Sequence, residues 1–241
     1  MAVRFCQGAP GDRMFNVQHL FSSCLYKTKI DPCSFNKADI VATLKRNYYK
    51  GTRNNWDPES DLHHLYDDWS NPNFEEVDFS QVILVYLKLV SDFLATQKFS
   101  VRFNYDVIIT NATVYAESQH MSEHDHIEDA VIFTGVHYIS APKNCSPLTF
   151  VSPLLMMQYN PHPAIKLYNE LFDYRDVNNS VYYKNYNLQI EEDDFIIFPA
   201  YLRHKVLPNP TLSDLRMAIV INIKILDIEK QVPVTSPWSN G

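Results

Sequence analysis

The sequence predicts a mainly β protein, an antiparallel sandwich or barrel preceded by helices. Three observations carry that expectation. From about residue 101 the chain breaks into seven or eight short segments, β-branched or aromatic, separated by turn signals. These segments follow one another without regular helical stretches between them, which favours antiparallel pairing over a parallel α/β sheet. The first hundred residues instead place apolar side chains at helical spacing, interrupted by polar stretches.

Taken in order, SFNKADIVATLKRNYY (34–49) sets Ile40, Val41, Leu44 and Tyr48 on one helical face, with Ser34 as its cap. NNWDPESDLHHLYDDWSNPNF (54–74) is polar, acidic and aromatic with two prolines, and reads as a long loop. DFSQVILVYLKLVSDFLATQKF (78–99) is the clearest helix. Ile83, Tyr86, Leu87, Val90, Phe93 and Leu94 align on it, and Asp78 with Gln81 resembles a capping box. The strands follow as FNYDVIITNATVYAES, AVIFTGVHYISA, SPLTFVSP, YYKNYNLQI, DDFIIFPAY, HKVLPN and RMAIVINIKIL. One excursion, QYNPHPAIKLYNELFDYRDVNN (158–179), carries a short helix with Ile165, Tyr168, Leu171 and Phe172 aligned. An interruption of that length in a β domain is often functional, for instance a lid. The expected organisation is a helical and loop extension over 1–100, a β core over 101–228 with an insert at 158–179, and a loosely held tail over 229–241.

Composition narrows the function classes. The 241 residues are 46% apolar and 20% charged, ordinary for a globular chain. A net charge of −7 argues against a partner that presents a phosphate backbone. With Gly at 5, turns fall to Asn, Asp and Pro. The longest apolar run, VILVYLKLV (82–90), is too short to span a bilayer and is broken by Lys88. The N-terminal segment lacks the apolar stretch of a secretory signal. Cys6, Cys24, Cys33 and Cys145 show neither metal-site nor framework spacing and read as free thiols. A soluble, cytoplasmic protein is expected.

The chemistry gathers around HDHIEDAVIFTGVHYIS (124–140). His126 and Glu128, two apart on an extended segment, present both side chains to one side. Far downstream stands His204, and twelve residues later Arg216. Two imidazoles and a carboxylate make a facial set that holds non-haem Fe(II) with open positions. A nearby arginine can bind a carboxylate bidentately. His124 forms an HxH pair with His126, so His124, His126 and His204 are an alternative set. Alone, the HIE pair would read as a solvated turn, His204 as a satisfied interior histidine and Arg216 as a structural ion-pair partner; their joint placement favours ligation. Asp125 is a flanking group, His120 faces solvent, and His137 is exposed or a pocket wall. His63 and His64 read as loop packing.

These segments resemble a family of 2-oxoglutarate/Fe(II) oxygenases common in bacteria and phages. Its second half reads roughly HxHxxxxxSGVYY, then FPSWLxHxVxPN, then RISISFN. HIEDAVIFTGVHY matches the first block without a gap, FPAYLRHKVLPN the second, and RMAIVIN the third. Asp193-Asp194 replaces a small residue before the middle block, and the 158–179 insert is longer than the family pattern. The ungapped match favours Glu128 over His124, whose register needs two inserted residues and leaves no charged ligand. The resemblance implies a double-stranded β-helix of the jelly-roll kind. It implies Fe(II) on His126, Glu128 and His204, with 2-oxoglutarate and O2 as co-substrates. Arg216, Tyr138 and Asn222 are the implied co-substrate contacts, and hydroxylation of an unspecified substrate is the implied reaction. Two competitors stand beside this reading. One is a cupin-type metal enzyme that does not use 2-oxoglutarate; the other is a non-catalytic jelly-roll binding protein.

Overall fold

The computed structural model describes residues 23–50, 63–65, 73–153, 171–173 and 183–229. Most of the 54–74 loop and of the 158–179 insert, and the tail beyond 229, lie outside the described residues. Among the described residues ten strands form two antiparallel sheets. They are β1 (Tyr26–Lys29), β2 (His63–Leu65), β3 (Phe103–Tyr115), β4 (Met121–His124), β5 (Val131–Ser140), β6 (Leu148–Val151), β7 (Asn185–Leu188), β8 (Asp194–Pro199), β9 (His204–Val206) and β10 (Arg216–Ile228). The major sheet runs β1-β8-β5-β10-β3-β2 and the minor sheet β4-β9-β6-β7. Two such sheets around one interior make a double-stranded β-helix.

Side-chain parity along β10 divides the molecule. Met217, Ile219, Ile221 and Ile223 point to the core shared with the helices α1 (Lys37–Tyr49) and α2 (Ser80–Ala95). Ala218 and Val220 point the other way, into a second core with Tyr138 of β5, Phe198 of β8 and Phe150 of the minor sheet. Every expected strand from 101 onward forms. The first hundred residues add two more, β1 along β8 and β2 along β3. Strand β4 escapes a sequence pattern because MSEH has no run of β-formers, and pairing with β9 imposes it.

The helices differ from expectation at their ends. Ser34 closes a short 3-10 turn (Pro32–Ser34) instead of capping α1, which starts after Asn36. Asp78 accepts a hydrogen bond from the Ser80 N–H at 2.9 Å, but the N-cap position of α2 is Phe79, which makes no side-chain cap bond, so the capping box of Asp78 with Gln81 does not form. Leu87 is 39% exposed and turned outward, while Val82 is buried in its place. Asn47 of α1 clamps the approach to α2: its carboxamide donates to the Glu75 carbonyl at 2.7 Å and accepts from the Glu75 N–H at 2.9 Å. Among the described residues no helix is long and apolar enough to cross a membrane.

Gly135 fixes how β5 sits in the major sheet. It pairs with Ile221 on β10 and Ile197 on β8. A Cβ there would lie 2.7 Å from Ile221 Cγ1 and 3.1 Å from the Phe195 ring. Only a residue without a side chain lets the three strands close at this level.

Candidate active site

Between the sheets lies a cavity of about 270 Å³. Its wall on β10 is Arg216, Ala218, Val220 and Asn222, every second residue. On β3 it is Tyr115, Thr113, Asn111 and Thr110. The consecutive Asn111 and Thr110 both reach it because the β3–β10 register slips there: Val220 pairs with Asn111 and Ile221 with Ile109.

Three histidines converge on one side of this cavity. His124 ends β4 and His204 opens β9, and the two are register partners across that pair. His126 follows β4, with its N–H bound to the Ala200 carbonyl at 2.9 Å. One ligand atom from each lies within 4.8 Å of the others, the one such group among the described residues. The rings of His126 and His204 are stacked at 5.2 Å, and those of His124 and His204 are 4.3 Å apart.

The hydrogen bonds assign the tautomers. His124 Nδ1 lies 2.8 Å from the Ser122 carbonyl and His204 Nδ1 lies 3.0 Å from the Leu202 carbonyl. A carbonyl only accepts, so each Nδ1 carries the hydrogen and each Nε2 the lone pair. Burial keeps the rings of His126 and His204 neutral, with repulsion from the neighbouring histidines adding to it. His126 is pushed down to about 4 by desolvation first and then by His124. His204 falls well below its ordinary value for the same first reason.

Arg216 lies at the other end of the same wall, 1% exposed. Its guanidinium carbon sits 4.8 Å from the Tyr115 ring centre and 5.2 Å from that of Tyr138. Its Nε and Nη1 are buried without any hydrogen-bond partner. Burial raises the Tyr138 hydroxyl, with the Arg216 charge opposing, so the phenol stays protonated beside the guanidinium.

The cavity thus gathers His124, His126, His204, Glu128, Tyr138, Arg216 and Asn222. Glu128 lines it but stands outside the group of converging ligand atoms. Asn222 accepts from the Thr134 hydroxyl at 3.1 Å. It lies six positions along β10 from Arg216, roughly 20 Å of strand. His137 is neither exposed nor a pocket wall. It is fully buried on the helix side of β5, with Nδ1 2.8 Å from the Tyr86 hydroxyl and Nε2 3.8 Å from Asp193. His120 is half-buried. The β3 wall, Tyr115 above all, went unread; its signal was the pairing of Tyr115 with Arg216, which only a fixed register reveals.

The comparisons with known proteins meet this geometry directly. Residues 112–222 match the sequence pattern of the family described as "Putative 2OG-Fe(II) oxygenase". Over that span the barrel resembles the 2-oxoglutarate/Fe(II) oxygenase family. The matched span runs from β3 to Asn222 and includes all three histidines and Arg216. No curated protein matches the sequence. Among solved structures, the chain is similar to a prolyl hydroxylase from Trichoplax adhaerens in complex with a hypoxia-inducible-factor peptide. The two are 11% identical over 84% of this chain and 83% of that one, with a TM-score of 0.50. It is similar also to SnoK, a non-haem α-ketoglutarate-dependent carbocyclase from nogalamycin biosynthesis, at 12% identity over 88% and 84% of the chains, TM-score 0.50. At those identities the likeness is one of fold.

Iron(II) and 2-oxoglutarate are the cofactors of this oxygenase family, and the residues present fit them. Three converging imidazole nitrogens suit a divalent first-row ion. The two unpartnered nitrogens of a buried guanidinium fit a carboxylate, which would complete a pair that the protein leaves open.

Proposed function

We propose that this protein is a 2-oxoglutarate-dependent Fe(II) dioxygenase that hydroxylates its primary substrate with release of succinate and carbon dioxide. One observation carries the reading: a buried Arg216 with open hydrogen-bonding capacity shares a cavity with three converging imidazoles. In this proposal His124, His126 and His204 hold the iron, Glu128 stands beside it without ligating, and Arg216 with Tyr138 binds the far carboxylate of 2-oxoglutarate. Bound iron and 2-oxoglutarate supply the oxidising power, dioxygen giving one oxygen atom to succinate and one to the substrate.

The chain's own part is placement and exclusion of water. The Nδ1 hydrogen bonds of His124 and His204 fix ring orientation, so the lone pairs are aimed before an ion arrives. Tyr115 and Tyr138 flank the guanidinium and keep water from competing for it. Val136, Ala218 and Val220 furnish an apolar wall between the two polar ends.

Anaerobic addition of Fe(II) and 2-oxoglutarate tests the reading. A weak visible metal-to-ligand charge-transfer band is expected, lost in His204→Ala and strongly weakened in Arg216→Ala, with succinate released once oxygen is admitted. A band that never forms sinks the proposal. The lack of a carboxylate among the three converging groups favours, as a second reading, a barrel metal enzyme that dispenses with 2-oxoglutarate. Metal-dependent turnover untouched by Arg216→Ala would select it.

A further inference from the structure

We propose that the primary substrate of this site carries a cation, an alkylammonium or guanidinium on a flexible stem, together with an oxygen acceptor near the carbon that reacts. The proposal rests on the oxygenase reading above and names the substrate class for the same cavity. The charged groups lining the cavity are segregated. Arg216 is the one Lys or Arg among them and is buried at one end. Asp125 and Glu128 are the acids, both exposed at the cavity's rim. Neither has an ion-pair partner among the described residues. Asp125 Oδ1 accepts from the Ile127 N–H at 3.2 Å, which leaves the rest of its carboxylate to solvent. By contrast Glu123, one turn of chain away, is neutralised by Arg203 at 3.1 Å and Lys205 at 3.6 Å. Other exposed acids, Asp129 among them, also lack an ion-pair partner among the described residues; Asp125 and Glu128 are the two that line the cavity.

A second observation points to a ligand independently of charge. Asn222 is 2% exposed and lines the cavity, and its one hydrogen bond is the Thr134 hydroxyl on Oδ1. Among the described residues its Nδ2 has no hydrogen-bond partner, and it is presented to the cavity from a side chain 2% exposed. A carbonyl, carboxamide or hydroxyl oxygen on the substrate would match it. Ile127, 66% exposed between the two acids, gives an apolar step. A long cationic side chain fits that order, with its methylenes on Ile127 and its charged head at Asp125 and Glu128.

The test uses the full chain and four probes: Nα-acetyl-lysinamide and Nα-acetyl-argininamide, with their uncharged counterparts Nα-acetyl-norleucinamide and Nα-acetyl-citrullinamide. Affinities are read by ligand-observed NMR on the metal-free protein. Both cationic probes are expected to bind about tenfold tighter than their counterparts, as two exposed ion pairs would give. The Asp125→Asn/Glu128→Gln double variant is expected to erase that preference. Asn222→Leu is expected to weaken all four probes several-fold while keeping the preference. Thermal melts of each variant report whether it is folded, and the two rim substitutions, being isosteric and exposed, leave the core intact. Equal binding of charged and uncharged probes, binding of none, or a preference that survives the double variant overturns the proposal. Because this readout needs neither iron nor 2-oxoglutarate, its failure is distinct from failure of the charge-transfer test. A band without cation preference removes the substrate class alone, and cation preference without a band removes the oxygenase reading.

Discussion

His124 and His204 face each other across the β4–β9 pair, and each gives its Nδ1 hydrogen to the carbonyl two residues before it. The same local bond on two antiparallel strands turns both rings with Nε2 to the same space. On that relationship we propose His124 for the place that the sequence reading gave to Glu128. Replacing His124 by Ala is expected to reduce Fe(II) affinity at least a hundredfold, whereas Glu128→Gln changes it less than threefold. Equilibrium titration with Fe(II) under anaerobic conditions measures both. A larger loss in Glu128→Gln than in His124→Ala would restore the two-histidine, one-carboxylate set.

Arg216 makes a prediction with two opposite signs. Its buried, partly unpartnered guanidinium destabilises the empty protein while favouring an anion. Arg216→Met is expected to raise the melting temperature of the ligand-free chain by a few degrees. It is also expected to cost about 2–5 kcal/mol in 2-oxoglutarate binding, the usual loss on truncating one side of a buried charge pair. Scanning calorimetry with and without 2-oxoglutarate reads both. A variant that melts lower when empty would show that the arginine supports the fold.

Gly135→Ala tests the packing of β5. The new methyl would stand 2.7 Å from Ile221 Cγ1 and 3.0 Å from Cδ1, in a core with no slack. Overpacking of this kind costs about 1–3 kcal/mol, or several degrees of melting temperature for a chain of this size. Unchanged melting would mean that β10 can shift to make room.

Glu75 supplies a pH signature far from the cavity. The Arg46 hydrogen bond first, with Lys50 adding to it, lowers its pKa from 4.5 to about 2. A depressed carboxylate contributes stability in full above its unfolded value and loses it as pH falls through the folded one. Urea midpoints should therefore decline between pH 4.5 and 2 on its account, and Glu75→Gln should flatten that decline while lowering the plateau near neutrality. An identical pH profile in the variant would assign the acid sensitivity to other groups.

Much of the fold was legible because β-branched runs and turn residues mark strands locally: VIFTGVHYIS and RMAIVINI need no partner to declare their pattern. What escaped was set by partners. MSEH is a strand because β9 lies beside it. His137 belongs to the helices because Val136 and Tyr138 claim the cavity face of β5. At the site, the spacing singled out His126, His204 and Arg216, and the structure places all three on one cavity. The sequence preferred Glu128 to His124, whereas the atoms that converge are those of His124, because convergence depends on where β4 stops and the chain turns, a matter of two residues that no periodicity encodes.

The converging imidazoles also say when this protein can acquire its metal. His124 and His204 stand eighty positions apart in the chain, and β10, which walls the cavity, pairs with β3 across a still longer separation. Contacts between such distant segments form slowly, because the intervening chain must first be closed into a loop. A nascent chain that has not yet emitted residue 204 offers the ion two imidazoles and no enclosure. On the proposed ligand set, tight metal capture is therefore expected only of the finished barrel, and its onset in a refolding experiment would mark the moment the minor sheet closes.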